Sequence, residues 1–103
     1  MYKHVGLVTK RPELSYDEFV AYWRGTHADL AKQLPGLRRY VINPIDRRVY
    51  PDSPVDGIAE LWFDTRGDAE AAWASEAGIS TRVDGSSFFG GMAIANLHEI
   101  DVL

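Results

Sequence analysis

Cysteine is absent from the 103 residues. That excludes a disulfide scaffold and any thiol chemistry, and it fits a reducing compartment. Long apolar runs are missing too. None approaches the ~20 residues that a membrane helix needs, and the opening "MYKHVGLVTK" lacks the apolar stretch of a signal peptide. Positive charge is scarce: Lys plus Arg number 11 against 15 Asp plus Glu, a net charge of −4. A phosphate backbone is repelled by that balance, which argues against a nucleic-acid partner. There is no repeat, low-complexity tract or linker, and no phosphate loop, nucleophile elbow or dinucleotide fingerprint. "FFGGM" has two glycines without the strand-loop-helix setting such a motif requires. These absences lead to the expectation of a soluble, cytoplasmic protein with no membrane partner.

What is present describes a folded domain. Apolar residues make up 46% and charged residues 25%, the mixture of a globular chain. The length fits one domain over residues 1–103, burying roughly two thirds of its unfolded surface around one core. "YKHVGLVTK" reads as a strand. Ser15 is placed to cap a helix, with Glu18 completing a capping box, and Pro35-Gly36 ends that helix near Leu34. "LRRYVINPI" is a second strand and "DRRVYPDSPVD" a proline-punctuated loop. "GIAELWF" is a third strand, with Ile58, Glu60 and Trp62 on one side and Ala59, Leu61 and Phe63 on the other. "DTRGDAEAAWASEAG" is a second helix closed by Gly78, "ISTRVDGSSFFGG" a longer connection with at most one helical turn, and "MAIANLHEIDVL" the last strand.

The order β-α-β-β-α-β predicts an α+β, ferredoxin-like fold. Both helices then cover one face of a four-stranded antiparallel sheet. The other face carries apolar side chains and would stand bare, so the reading includes a homodimer joined through the open sheet face.

On the first helix Phe19, Trp23, His27, Leu30 and Leu34 share one face. His27 therefore meets the sheet. Such a histidine is either a core residue with both nitrogens satisfied or an acid–base group in a partly dry pocket. Burial depresses its pKa and a neighbouring carboxylate raises it; Glu60, inside an apolar strand, is the candidate neighbour, or else binds an arginine on an adjacent strand. Tyr40 supplies a hydroxyl from the strand after the helix, and Trp23, Trp62, Trp73 and Phe88 are candidates to line a cavity for a flat ring. His4 and His98 belong to the first and last strands. His4, Gly6 and Val8 alternate together, as do Met92, Ile94, Asn96 and His98. No histidine pair has metal-ligand spacing, so no metal and no cofactor is expected. Arg38-Arg39 and Arg47-Arg48 are either solvated or a local anion site.

With these residues in view, the chain resembles the EthD-like family of the dimeric α+β barrel superfamily. The likeness is densest in "FVAYWRGTHADLAKQLPGLRRYVIN" and returns in "GIAELWFDT". It is also similar to the methylmuconolactone methylisomerases and, more distantly, to small polyketide cyclases. The resemblance implies two facing sheets, a pocket between sheet and helices, and a pocket histidine at position 27. The loop "DRRVYPDSPVD" has no histidine, so relatives that use a second histidine there are not matched.

Two functions of different class follow. One is a cofactor-independent enzyme, of isomerase, cyclase or dehydratase (lyase) type, with His27 moving a proton α to a carbonyl and Tyr40 holding the enolate oxygen. Its small-molecule substrate is a lactone, an intermediate of aromatic catabolism or a polyketide-like compound. The other is a non-catalytic carrier or accessory protein that binds an aromatic metabolite, or haem on His27, beside a monooxygenase.

Overall fold

The structure is a computed structural model that describes residues 1–103. Four antiparallel strands, β1 (Tyr2–Lys10), β2 (Arg39–Pro44), β3 (Gly57–Phe63) and β4 (Phe89–His98), form one sheet in the order β2-β3-β1-β4. This is the ferredoxin-like arrangement predicted from the element order. Register places Tyr2, His4, Gly6 and Val8 of β1 beside Tyr40 and Ile42 of β2, Ala59, Leu61 and Phe63 of β3, and Met92, Ile94, Asn96 and His98 of β4. Those residues form the helix-covered face. A bulge between Thr9 and Lys10 resets the β1–β4 pairing, so Phe89 also turns towards the helices.

The first helix begins as read from the sequence. The Ser15 hydroxyl accepts from the Glu18 N–H, and the Glu18 carboxylate accepts from the Ser15 N–H. α1 (Tyr16–Tyr22) runs into a π-helical turn (Trp23–His27) and then α2 (Ala28–Ala31). The Ala28 N–H reaches the Trp23 carbonyl, five residues back. A π turn adds a residue and advances the phase of everything after it. Ala28 and Ala31 consequently take the buried positions and Leu30 is only half-buried, where straight α spacing places Leu30 on the buried stripe. Helical hydrogen bonding tightens at Gln33 and Leu34, and Gly36, with φ 76°, turns the chain towards β2.

The second helical region differs from the sequence reading. α3 (Arg66–Ala74) stops at Ser75, and α4 (Glu76–Phe88) follows at once as a full 13-residue helix. Ser75 both ends α3 and caps α4, its hydroxyl accepting from the Gly78 N–H. Gly78 does not close a helix. It sits where α4 crosses the end of α3, and a Cβ there would run into the Ala72 and Trp73 carbonyl groups. Two apolar clusters fill the space between helices and sheet: Val8, Phe19, Trp23, Phe88 and Phe89 at one end, and Leu34, Leu61, Phe63, Ala69 and Ala72 at the other. No helix is long and apolar enough to cross a membrane.

Candidate active site

His27 leaves the π turn pointing inward and is only 6% exposed. Its ring is flanked by Phe88 at 4.9 Å and Phe89 at 5.4 Å between centroids. Nδ1 lies 2.8 Å from Oδ2 of Asp84 on α4. A carboxylate only accepts, so Nδ1 carries the proton and Nε2 keeps its lone pair. Nε2 makes no hydrogen bond within the protein and is not sealed from open space. The other Asp84 oxygen accepts from the Tyr22 hydroxyl at 2.6 Å. Tyr22, Asp84 and His27 thus form a chain from the helix surface to the cavity. Burial pushes the His27 pKa below its ordinary value, and the Asp84 carboxylate opposes that without overcoming it.

The cavity has two parts. An inner chamber of about 50 Å³ is bounded by His27, Trp23 and Ala31 on the first helix, by Tyr40, Leu61 and His4 on the sheet, and by Trp73 and Phe89. It opens into a groove of about 560 Å³ between α4 and β4, edged by Arg82, Ser86, Ile94 and Asn96. His4, His27 and Trp73 border both. The inner space holds a water or a small substituent, whereas the outer one is in the range of small-molecule sites.

Of the residues singled out in the sequence, the fold brings His27, Tyr40, Trp23 and Trp73 to one chamber. Burial drives the Tyr40 pKa up to about 12, and the nearby Trp23 indole, which does not reach hydrogen-bond geometry, pulls weakly the other way. Tyr40 is therefore a neutral phenol with a proton to donate. Phe88 supports the imidazole from behind and does not border the cavity. Trp62 is not brought to the site. It lies on the opposite sheet face, donating its indole N–H to Glu99 at 2.6 Å, with the Arg39 guanidinium 4.7 Å from its ring. Glu60 is on that face too, bound by Lys3 at 3.1 Å and Asn43 at 3.0 Å. Its partner on the adjacent strand is Lys3, not the arginine expected from the sequence, and it is not the neighbour of His27. Burial pulls its pKa up, but the Lys3 and Asn43 hydrogen bonds outweigh that and leave it below the ordinary value.

Asp84 and His4 were missed as site residues. Asp84 sits in the segment read as a connection, and its only sequence signal is an i, i+4 relation to Phe88 once that segment is helical. His4 had the right face from strand alternation. Its Nδ1 meets Oδ1 of Asn96 at 3.0 Å, and its ring lies 4.8 Å from that of Trp73. The arginine pairs do not make an anion site: Arg38 pairs with Asp64 at 2.8 Å, Arg47 with Asp56, and Arg48 with Asp46.

A haem does not fit the inner chamber. Phe88 and Phe89 crowd the imidazole, and the inner chamber of about 50 Å³ is far below a macrocycle, so a haem on His27 does not fit on that side of the ring.

Residues 11–91 match the EthD domain family. No curated protein sequence is similar enough to count as a relative. Among solved structures, an EthD family protein from Bacillus halodurans is 24% identical with a TM-score of 0.80, over 97% of this chain and 99% of that one. A dimeric ferredoxin-like protein of unknown function from Bacteroides fragilis is 12% identical with a TM-score of 0.72, over 95% of each chain. SnoaB, a cofactor-independent oxygenase from Streptomyces nogalater, is 15% identical with a TM-score of 0.72, over 99% of this chain and 95% of that one. At these identities the likeness to solved structures establishes the fold alone.

Proposed function

The chain belongs to the EthD domain family, and from that premise we propose that it is a cofactor-independent proton-transfer enzyme, of isomerase, cyclase or dehydratase type. Its substrate is a small lactone, aromatic-catabolic or polyketide-like carbonyl compound. The observation that carries the reading is the Asp84 oxygen 2.8 Å from His27 Nδ1 while Nε2 stays free at the cavity. Nε2 takes a proton from the carbon α to the carbonyl, and the electron pair moves onto the carbonyl oxygen. Asp84 stabilises the imidazolium that forms and keeps the ring oriented. The Tyr40 hydroxyl donates to the enolate oxygen. Trp23 and Trp73 wall the chamber and exclude water. His27 then returns the proton to another atom of the substrate or to a leaving group.

The test is His27→Ala with the fold checked by circular dichroism. Turnover is expected to fall by about 10²–10⁴-fold. Turnover near that of the wild type overturns the assignment.

A second reading has the groove of about 560 Å³ in its favour: a carrier or accessory protein for an aromatic metabolite. Stoichiometric binding with no chemical change in the bound compound, in wild type and His27→Ala alike, selects it.

We also propose that the open sheet face joins two copies. Leu97 on that face is 42% exposed, and Ile100, Val102 and Leu103 beyond β4 are almost wholly so. Similar solved proteins described as dimeric support this. Sedimentation as a monomer at micromolar concentration overturns it.

A further inference from the structure

Two imidazoles of the cavity share one arrangement. In each, Nδ1 is held by a side-chain oxygen: Asp84 for His27 at 2.8 Å, Asn96 for His4 at 3.0 Å. With the Asn96 amide oxygen turned to the ring, as it is here, that oxygen accepts and the His4 proton is assigned to Nδ1 as well. In each, Nε2 is left with a lone pair, has no protein partner and is not sealed off. The two rings come from different elements, β1 and the π turn, yet both border the inner chamber and the groove. Burial holds both pKa values below the ordinary histidine value, and for His4 the Asn96 hydrogen bond opposes that shift. The ionisable groups facing His4 across the chamber are His27, with Asp84 behind it, and Tyr40.

The chamber boundary therefore offers two uncharged acceptors between apolar walls. Water satisfies such atoms poorly in a narrow apolar space, and an anion finds no cation in the inner chamber to meet it. A hydroxyl proton suits each lone pair. From this geometry we infer that His4 acts with His27 as a two-acceptor site for a ligand bearing two O–H donors, a dihydroxylated aromatic ring or its enol equivalent. The ring lies in the groove and its hydroxyl-bearing edge meets the two Nε2 atoms. The inference rests on the proton-transfer reading only for its use in turnover; the binding itself is independent of that reading. His4 is a positioning residue here, because its hydrogen bond fixes one hydroxyl of the ligand and so sets which proton-bearing atom lies at His27 Nε2.

The experiment is calorimetric titration with catechol, resorcinol and hydroquinone, each against its monomethyl and dimethyl ethers. In the wild type, at least one diol is expected to bind about tenfold more tightly than its monomethyl ether, the cost of one lost hydrogen bond. His4→Phe keeps a ring against Trp73 and removes the lone pair, so diol and monomethyl ether then bind alike. Asn96→Leu frees the His4 tautomer while leaving the ring, and narrows the same gap; it serves if His4→Phe does not fold. No saturable binding of any diol, equal binding of diols and ethers in the wild type, or a gap that survives both substitutions overturns the inference. Diol discrimination through His4 in a protein with no detectable proton transfer leaves this inference standing and removes the enzyme. Loss of turnover in His27→Ala with no such discrimination does the reverse.

Discussion

The two faces of the sheet carry similar side chains to different ends. On the open face Glu60 is bound by Lys3 and Asn43, and the Trp62 indole N–H by Glu99. Each of these polar groups has a partner, and none of them lines the chamber or the groove. On the helix-covered face His27 is bound on one side only, and its second nitrogen looks into open space. Burial and a charged neighbour are common to both. What separates them is a polar atom left without a partner beside a cavity, and that atom is where chemistry can enter.

The sharpest way to break this comparison is to neutralise one carboxylate on each face. Asp84→Asn leaves the imidazole in place but unsettles its tautomer, and turnover is expected to fall by up to ~10⁴-fold, as for other imidazoles that lose an orienting carboxylate. Steady-state kinetics on a turned-over lactone or enol reads it, and a loss under threefold would mean that Asp84 merely fills space.

Next in size is a packing change behind the chamber. A Cβ at Gly57 would lie 2.5 Å from the Trp23 ring. Gly57→Ala is expected to cost about 1–3 kcal/mol in urea unfolding, the usual range for overpacking. A neutral result would show that Trp23 is free to shift, and with it the wall of the chamber.

The pH dependence separates the faces further. His27 and His4 have folded pKa values lowered by burial from an ordinary 6.5. The unfolded chain then binds protons more readily as the pH falls through 6.5, so stability is full above that pH and declines below it. Turnover should also fall in acid, but at the lower pH of the depressed folded pKa, since only neutral His27 is a base. It should show no alkaline limb from Tyr40 until the pH nears 12. Melting temperatures that stay level from pH 7.5 to 5 would contradict the assignment.

The smallest effect belongs to the open face. Glu60→Gln weakens a partly buried ion pair at the sheet surface, and thermal unfolding should register a change of about 1 kcal/mol, with turnover unaltered. A tenfold loss of turnover would mean that the faces are coupled in a way their geometry does not suggest.

Much of this was legible in the sequence. Strand alternation alone grouped His4 with Gly6 and Val8, Tyr40 with Ile42, and Leu61 with Phe63, and those sets do share the helix-covered face. The capping box located the first helix. Trp62 and Glu60 were already on the other side of β3 from Leu61; what alternation cannot reveal is which side the helices cover. α4 escaped because Gly78, Gly85 and the Ser86-Ser87 pair weaken helix propensity, and its exposed Ile79 and Val83 blur the apolar period. Missing α4 meant missing Asp84. The π turn has no signature in spacing at all, since Trp23 and His27 are four apart in either geometry.

That turn also divides the labour along a single helix. Phe19 before it and Trp23 at its first position are committed to the cluster around Phe88; after it, Leu34 is committed to the cluster around Phe63. One surplus residue acts as a phase shifter between two gears that would otherwise have to mesh. Excising it would wind the downstream half back by about 100°, the turn of one α-helical residue. The turn thereby lets one helix feed both clusters, which meet at Ala59 of β3.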